Sequence, residues 1–324
     1  MKLYKAAVSM SLLVATSITA NAQTATPATV VVRAANKSPN LSKTEYLAAV
    51  RAGKRLVAVG EHGTIALSDD DGLTWHQART VPTSAELTDV YFVDDNNGWA
   101  VGHWGTILKT TDGGNNWSSS RNDTKVDQPL FSVFFRNSKD GFAVGLWSLM
   151  LKTNDGGATW SPVQLPPPDG AKRADRNLFS IFSAPSEPIF ITAERGLVYR
   201  SNDNGATWSP IASGYSGSLW CGTVLKDGTV LVGGLRGSVY RSADKGTTWN
   251  RIDSGITSSI TNFVQLPNHI VIGTAVDGVT IISNDGGLTF KSKQGEDRQA
   301  YTAAVALKNG RVLLVGSHGI RSIH

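Results

Sequence analysis

Hydrophobic and polar positions along this 324-residue chain fall into short alternating runs rather than helical stripes. Residues 87–110 show the unit clearly. LTDVYFVD (87–94) alternates, GWAVG (98–102) is a short apolar run bounded by glycines, and GTILKT (105–110) alternates again. Alternation with period two, punctuated by glycine, predicts strands joined by tight turns. With a polar strand after Trp117, the unit has four strands, here lettered A to D.

One motif joins strands C and D and recurs six times. The copies are SDDDGLTW (68–75), TTDGGNNW (110–117), TNDGGATW (153–160), SNDNGATW (201–208), SADKGTTW (242–249) and SNDGGLTF (283–290). Each begins with Ser or Thr, has Asp third and Gly fifth, and ends in an aromatic residue. The closing aromatics lie 42, 43, 48, 41 and 41 residues apart, the period of one four-stranded propeller blade. Asp70, Asp112, Asp155, Asp203, Asp244 and Asp285 are expected to accept backbone N–H groups about two residues on. Glycine at the fifth position permits positive φ. A calcium loop would need several acidic ligands per copy, whereas TTDGGNNW supplies one. The boxes therefore read as structural turns.

A second repeat marks the B-to-C turn: VGEHG, VGHWG, VGLWS, TAERG, GGLRG, GTAVDG and VGSHG, beginning at residues 59, 101, 144, 192, 233, 273 and 315. Seven turns against six boxes predict an all-β, seven-bladed propeller whose last blade lacks its own outer strand. The segment ATVVVRAA (28–35) has strand composition and is expected to fill that place, closing the ring and removing exposed edges. Residues 28–324 divided by seven give about 42 per blade, again the repeat length.

The N-terminus changes the compartment. Lys2 and Lys5 precede an apolar run from Ala6 to Ala20, followed by Ala20-Asn21-Ala22. This predicts a secretory signal over 1–22, bacterial in style, and a single exported propeller domain over 23–324. The periplasm or an equivalent lumen is the expected location, with secretion as the alternative. The apolar run is too short to span a bilayer, and no lipid-bearing cysteine follows it.

Composition excludes several function classes. The formal charge is +5, and +3 without Lys2 and Lys5, too mild for a nucleic-acid binder. One cysteine, Cys221, stands beside Trp220 in an apolar strand, so no internal disulfide is available, and the thiol reads as a small core residue. There is no nucleotide loop, serine elbow or zinc-helix motif, and no cofactor is expected.

The combination of VGxxGxIxxT with SxDGGxTW resembles the Asp-box (BNR-type) propellers of the photosystem II stability and assembly factor family, over roughly residues 40–324. That resemblance implies a lumenal or periplasmic, chaperone-like factor that holds a membrane-protein precursor, or a related exported propeller beside an envelope transport complex. Boxes of this kind also occur in sialidases, sortilin-type receptors and xyloglucanases, so the box alone specifies fold.

Candidate binding residues lie opposite the boxes. In a four-stranded blade the B-to-C turns and D-to-A connections share one face. The penultimate turn residues are His62, Trp104, Trp147, Arg195, Arg236, Asp277 and His318. An aromatic pair beside an arginine pair matches hot-spot composition. The connection PPPDGAKRADR (166–176) adds Lys172, Arg173 and Arg176, placed by this reading next to Arg195 and Arg236. Such a patch suits an acidic peptide, an anionic head group or a carboxylated glycan. His62, His103 and His318 fall on adjoining blades with Glu61 nearby, but their registers differ and no zinc site is assigned.

The rival function is a carbohydrate-binding or glycan-hydrolysing, sialidase-like propeller. No Arg-Ile-Pro strand start or matching Tyr-Glu pair is present, and Glu61, Glu194 and Asp277 lie on separate blades. Catalytic residues are therefore assigned to none, and the favoured function is a scaffold that binds a membrane protein.

Overall fold

The computed structural model describes residues 33–308 and 310–323. Among the described residues, seven antiparallel sheets form the blades of a β-propeller, six of four strands and one of three. The A strands are Tyr46–Ala52, Leu87–Phe92, Leu130–Phe135, Leu178–Phe182, Leu219–Val224, Ile260–Gln265 and Tyr301–Ala306. Each touches the A strand of the next blade around the ring, including the last with the first, so these strands encircle the axis.

Burial follows the sequence pattern from inside outward. The B strands of blades two to seven, such as Gly98–Gly102 and Val230–Gly234, are buried along their whole length. Continuous apolar runs of this kind suit strands covered on both faces. The outer strand of blade six, Lys291–Gln294, is exposed throughout.

Blade seven packs directly on blade one. The Thr302 hydroxyl donates to the Tyr46 carbonyl at 2.7 Å, and Arg51 donates to the Ala306 carbonyl at 3.2 Å. Tyr46, Leu56 and Ala58 share an apolar cluster with Ala303, Leu313 and Val315.

Among the described residues the last sheet contains three strands, Tyr301–Ala306, Val312–Gly316 and Gly319–Ile323. The expected signal (1–22) and residues 28–32 of the expected closing strand lie outside the described residues. The remainder, 33–35, carries no strand pairing. It lies against blade one, where the Ala35 N–H donates to the Val81 carbonyl at 3.0 Å. No helix among the described residues is long and apolar enough to cross a membrane.

The boxes are built more tightly than a two-residue reach for Asp suggests. Asp203 Oδ1 accepts the Thr207 N–H four residues on at 2.8 Å, and its Oδ2 accepts the Thr207 hydroxyl at 2.6 Å. Closure at the glycine falls instead to the first residue: Ser201 Oγ accepts the Gly205 N–H at 2.7 Å and donates to Asp203 at 2.8 Å. The other five copies repeat this scheme, with the Asn116 side-chain amide in place of the threonine hydroxyl at Asp112. The fourth position is also left-handed in every copy, including Asp71, Asn204 and Lys245. Each fifth-position glycine abuts the preceding blade: Gly205 meets Phe142, Gly246 meets Phe190, and Gly72 meets Leu313 of blade seven.

Candidate partner-binding face

Each B-to-C turn is a three-residue reversal closed by backbone hydrogen bonds. In blade one the Gly60 N–H donates to Thr64 O at 3.1 Å, and the Thr64 N–H donates to Glu61 O at 2.9 Å. This tight loop forces its middle residue into the left-handed region, and in six blades that residue is not glycine. His62, Trp104, Trp147, Arg195, Arg236 and Asp277 have φ between 53° and 62°. Each such residue costs about 1–2 kcal/mol relative to right-handed backbone. Blade seven differs: its left-handed residue is Gly319, and His318 takes an ordinary φ.

The αL geometry throws these side chains outward. The His62 side chain is 84% exposed, and Trp147 is 61% exposed. Arg195, Arg236, Asp277 and His318 are exposed, while Trp104 is partly buried. Among the described residues, the Arg195 and Arg236 guanidinium groups have no ion-pair or hydrogen-bond partner. Arg236 edges a hollow of about 420 Å³ shared with Arg251 and Asp253.

The D-to-A connections brace the turns from the neighbouring blade. The Trp104 N–H donates to Asp127 Oδ1 at 3.1 Å, the Trp147 N–H to Asn177 Oδ1 at 2.9 Å, and the Arg236 N–H to Ser259 Oγ at 3.3 Å. Asn177 also donates through its amide to Glu194 Oε1 at 3.0 Å and through its backbone to Oε2 at 3.1 Å. One side chain thus joins the turns of blades three and four. Nothing in the turn motif itself signals these braces.

The long connection behaves differently from its sequence-based expectation at one residue. Lys172 and Arg173 are exposed, but the Arg176 side chain is only 15% exposed and pairs with Asp175 at 2.6 Å. Its carbonyl accepts both the N–H and the hydroxyl of Ser148 at 2.9 Å. Arg176 is therefore a correction, because it ties the loop to the turn of blade three instead of projecting charge. Beside it the Tyr199 hydroxyl is pushed up to about 12 by burial, with Arg176 pulling the other way.

The carboxylates and histidines are occupied separately. Glu61 accepts the Glu45 N–H at 3.2 Å, and Asp277 accepts the Ser258 hydroxyl at 3.0 Å. His103 faces Asp127 at 3.8 Å, His62 faces Glu61 at 3.9 Å, and His318 lies 3.4 Å from Ser317. Among the described residues no group of three His, Cys, Asp or Glu side chains could hold a metal ion. A hollow of about 360 Å³ opens between the turns of blades one and two, lined by Glu45, Glu61, Glu86, His62, His103 and Trp104. Cys221 is buried, and desolvation raises its thiol far above its ordinary range.

Residues 77–229, blades two to four and part of blade five, match the profile of the family described as photosynthesis system II assembly factor YCF48. Over that stretch the chain is similar to the photosystem II assembly factor family. The solved structure of YCF48 bound to D1 peptide is 19% identical and superposes with a TM-score of 0.67, covering 90% of this chain and 98% of that one. YCF48 from Cyanidioschyzon merolae is 18% identical with a TM-score of 0.68, covering 87% and 95%. An ancestral GH74 enzyme is 13% identical with a TM-score of 0.68, but the match spans 46% of that longer chain. At these identities the structures establish a shared fold. No curated protein matches the chain significantly in sequence.

Proposed function

We propose that this chain is an exported, non-catalytic scaffold that binds a membrane-protein segment through its B-to-C face and assists assembly or stability of a membrane complex. The observation that carries this reading is the ring of six non-glycine residues held in left-handed backbone. A tight turn could use glycine there without strain. Strain retained at an exposed position, displaying Trp and Arg, is the mark of a surface used for contact. The solved YCF48 structure described as bound to D1 peptide is in keeping with a peptide from a membrane protein as ligand. Arg195, Arg236 and Arg173, with Trp104 and Trp147, are the proposed contacts, flanked by His62 and His318. Export to a periplasm or equivalent lumen belongs to the same proposal.

The test is co-purification from envelope membranes. Arg195→Glu combined with Arg236→Glu is expected to abolish partner recovery while leaving the melting temperature unchanged. Equal recovery from variant and wild type would remove the proposal. A carbohydrate-binding or glycan-cleaving propeller is the second reading, favoured by the fold shared with the ancestral GH74 enzyme. Binding on a glycan array, or turnover of fluorogenic sialosides or xyloglucan, would establish it.

A further inference from the structure

The second residue of every A strand forms a ring of its own. At this position a bulge sets one extra residue against strand B, between the paired residues Tyr46 and Ala48 in blade one and at the equivalent place in the other six. The extra residues are Leu47, Thr88, Phe131, Phe179, Trp220, Thr261 and Thr302. Each follows a buried residue yet is itself partly exposed. Because strand A begins where the D-to-A connection ends, this ring lies at the mouth of the axis on the B-to-C face.

Three of these positions serve the fold. Thr88, Thr261 and Thr302 each donate a hydroxyl at 2.7 Å to the first A-strand carbonyl of the next blade, namely Leu130, Tyr301 and Tyr46. Blades three, four and five give up that seam for aromatic rings. Phe131 and Phe179 stack with centroids 5.9 Å apart and planes 18° from parallel. Trp220 follows on the next blade. Among the described residues its indole N–H has no hydrogen-bond partner and reaches solvent.

The arc is close to the unpaired arginines. Leu178 pairs with Ala193 and Leu219 with Gly234, so Phe179 and Trp220 each sit one residue from a strand pair that ends two residues before Arg195 and Arg236. An apolar mouth rimmed by unpaired guanidinium groups complements a chain that carries both carboxylates and a large apolar side chain. The free indole N–H supplies a donor for a backbone carbonyl.

We infer that Phe131, Phe179 and Trp220 form a subsite for one large apolar side chain of an acidic peptide segment whose carboxylates pair with Arg195 and Arg236. This rests on the peptide-binding reading above and names what that site selects. The probes are two synthetic acidic peptides identical except for Phe or Ser at the centre, titrated calorimetrically into the full propeller. The Phe peptide is expected to bind roughly tenfold more tightly. Trp220→Ala erases that preference, Trp220→Phe keeps most of it, and Arg195→Glu with Arg236→Glu weakens both peptides. If Trp220→Ala fails to fold, Phe179→Ala carries the same expectation.

Equal binding of the two peptides, or a preference that survives both alanine variants, overturns the subsite and leaves the arginine-dependent peptide reading standing. Silence from both peptides overturns both. Trp220-dependent binding of sialyllactose or xylo-oligosaccharide in their place reassigns the arc to glycans and overturns it as well.

Discussion

The side-chain oxygen of Asn177 accepts the backbone N–H of Trp147 at 2.9 Å, so the most exposed aromatic residue of the turn ring is positioned by the neighbouring blade's connection. Asn177→Ala removes this bond and the amide bond to Glu194. At about 1 kcal/mol per hydrogen bond, the variant is expected to lose roughly 2 kcal/mol. Trp147 fluorescence should become more mobile, as time-resolved anisotropy would register. An unchanged melt and unchanged anisotropy would mean the turn holds its own shape.

The box aspartates set an acid limit on stability. Asp203 is held down at about 2, chiefly by the Thr207 hydroxyl and then by its backbone N–H and Ser201. Asp70, Asp155 and Asp285 are held equally low by the same contacts. A depressed carboxylate stabilises the fold above its unfolded value, near 4, and that contribution disappears as pH falls through its folded value. The melting temperature is therefore expected to drop between about pH 4 and pH 2. Replacing Asp155 and Asp203 together by Ala should lower the plateau at neutral pH and flatten that acid slope. A slope as steep as wild type would contradict the assignment.

Asp89 should titrate in the opposite sense. Desolvation raises its carboxyl to about 6, against hydrogen bonds from Val133 N–H at 3.0 Å, Ser132 Oγ at 2.8 Å and Val90 N–H at 2.8 Å. A raised acid contributes stability fully below its unfolded value and loses it as pH rises through the folded one. The Asp89→Asn variant should thus gain on wild type between about pH 4 and pH 6 and hold level above. Carboxyl carbon shifts of Asp89 followed by NMR provide the direct midpoint. A midpoint below 4 would show that the three bonds outweigh burial.

Gly205 tests the contact between blades. Its φ is +78°, and an added Cβ would lie 2.2 Å from Phe142 Cζ. Gly205→Ala is expected to cost roughly 2–4 kcal/mol through strain and overpacking together. Gly255 has φ +69° with nothing within 4 Å of a built Cβ, so Gly255→Ala should cost only about 1 kcal/mol. Equal losses in chemical denaturation would show that conformation alone demands glycine in the box.

Blade count and strand order were legible because the Ser/Thr-x-Asp-x-Gly spacing and the glycine-bounded B strands are local signals. So was the burial of Cys221, in a strand whose neighbours are apolar. Arg176 was not, since its charge reads as solvent-facing until the adjoining Asp175 and the Ser148 turn fold onto it. Asn177 and the arc of Phe131, Phe179 and Trp220 escaped notice for a related reason. Their significance lies in equivalence across blades, and a bulge shifts the alternation by one residue at the very position where it would have to be read.

Each box glycine rests on the blade behind it, while inner hydroxyls such as Thr88, Thr261 and Thr302 reach to the blade ahead. A linear array of repeats can fray from its ends, but a circle fastened in both directions has none to start from. Loosening one blade opens two seams at once, so the disc behaves as a single cooperative unit. The rigidity of the turn ring is then a property of the whole circumference, and the proposed contacts on blades two to five are held in register by all seven.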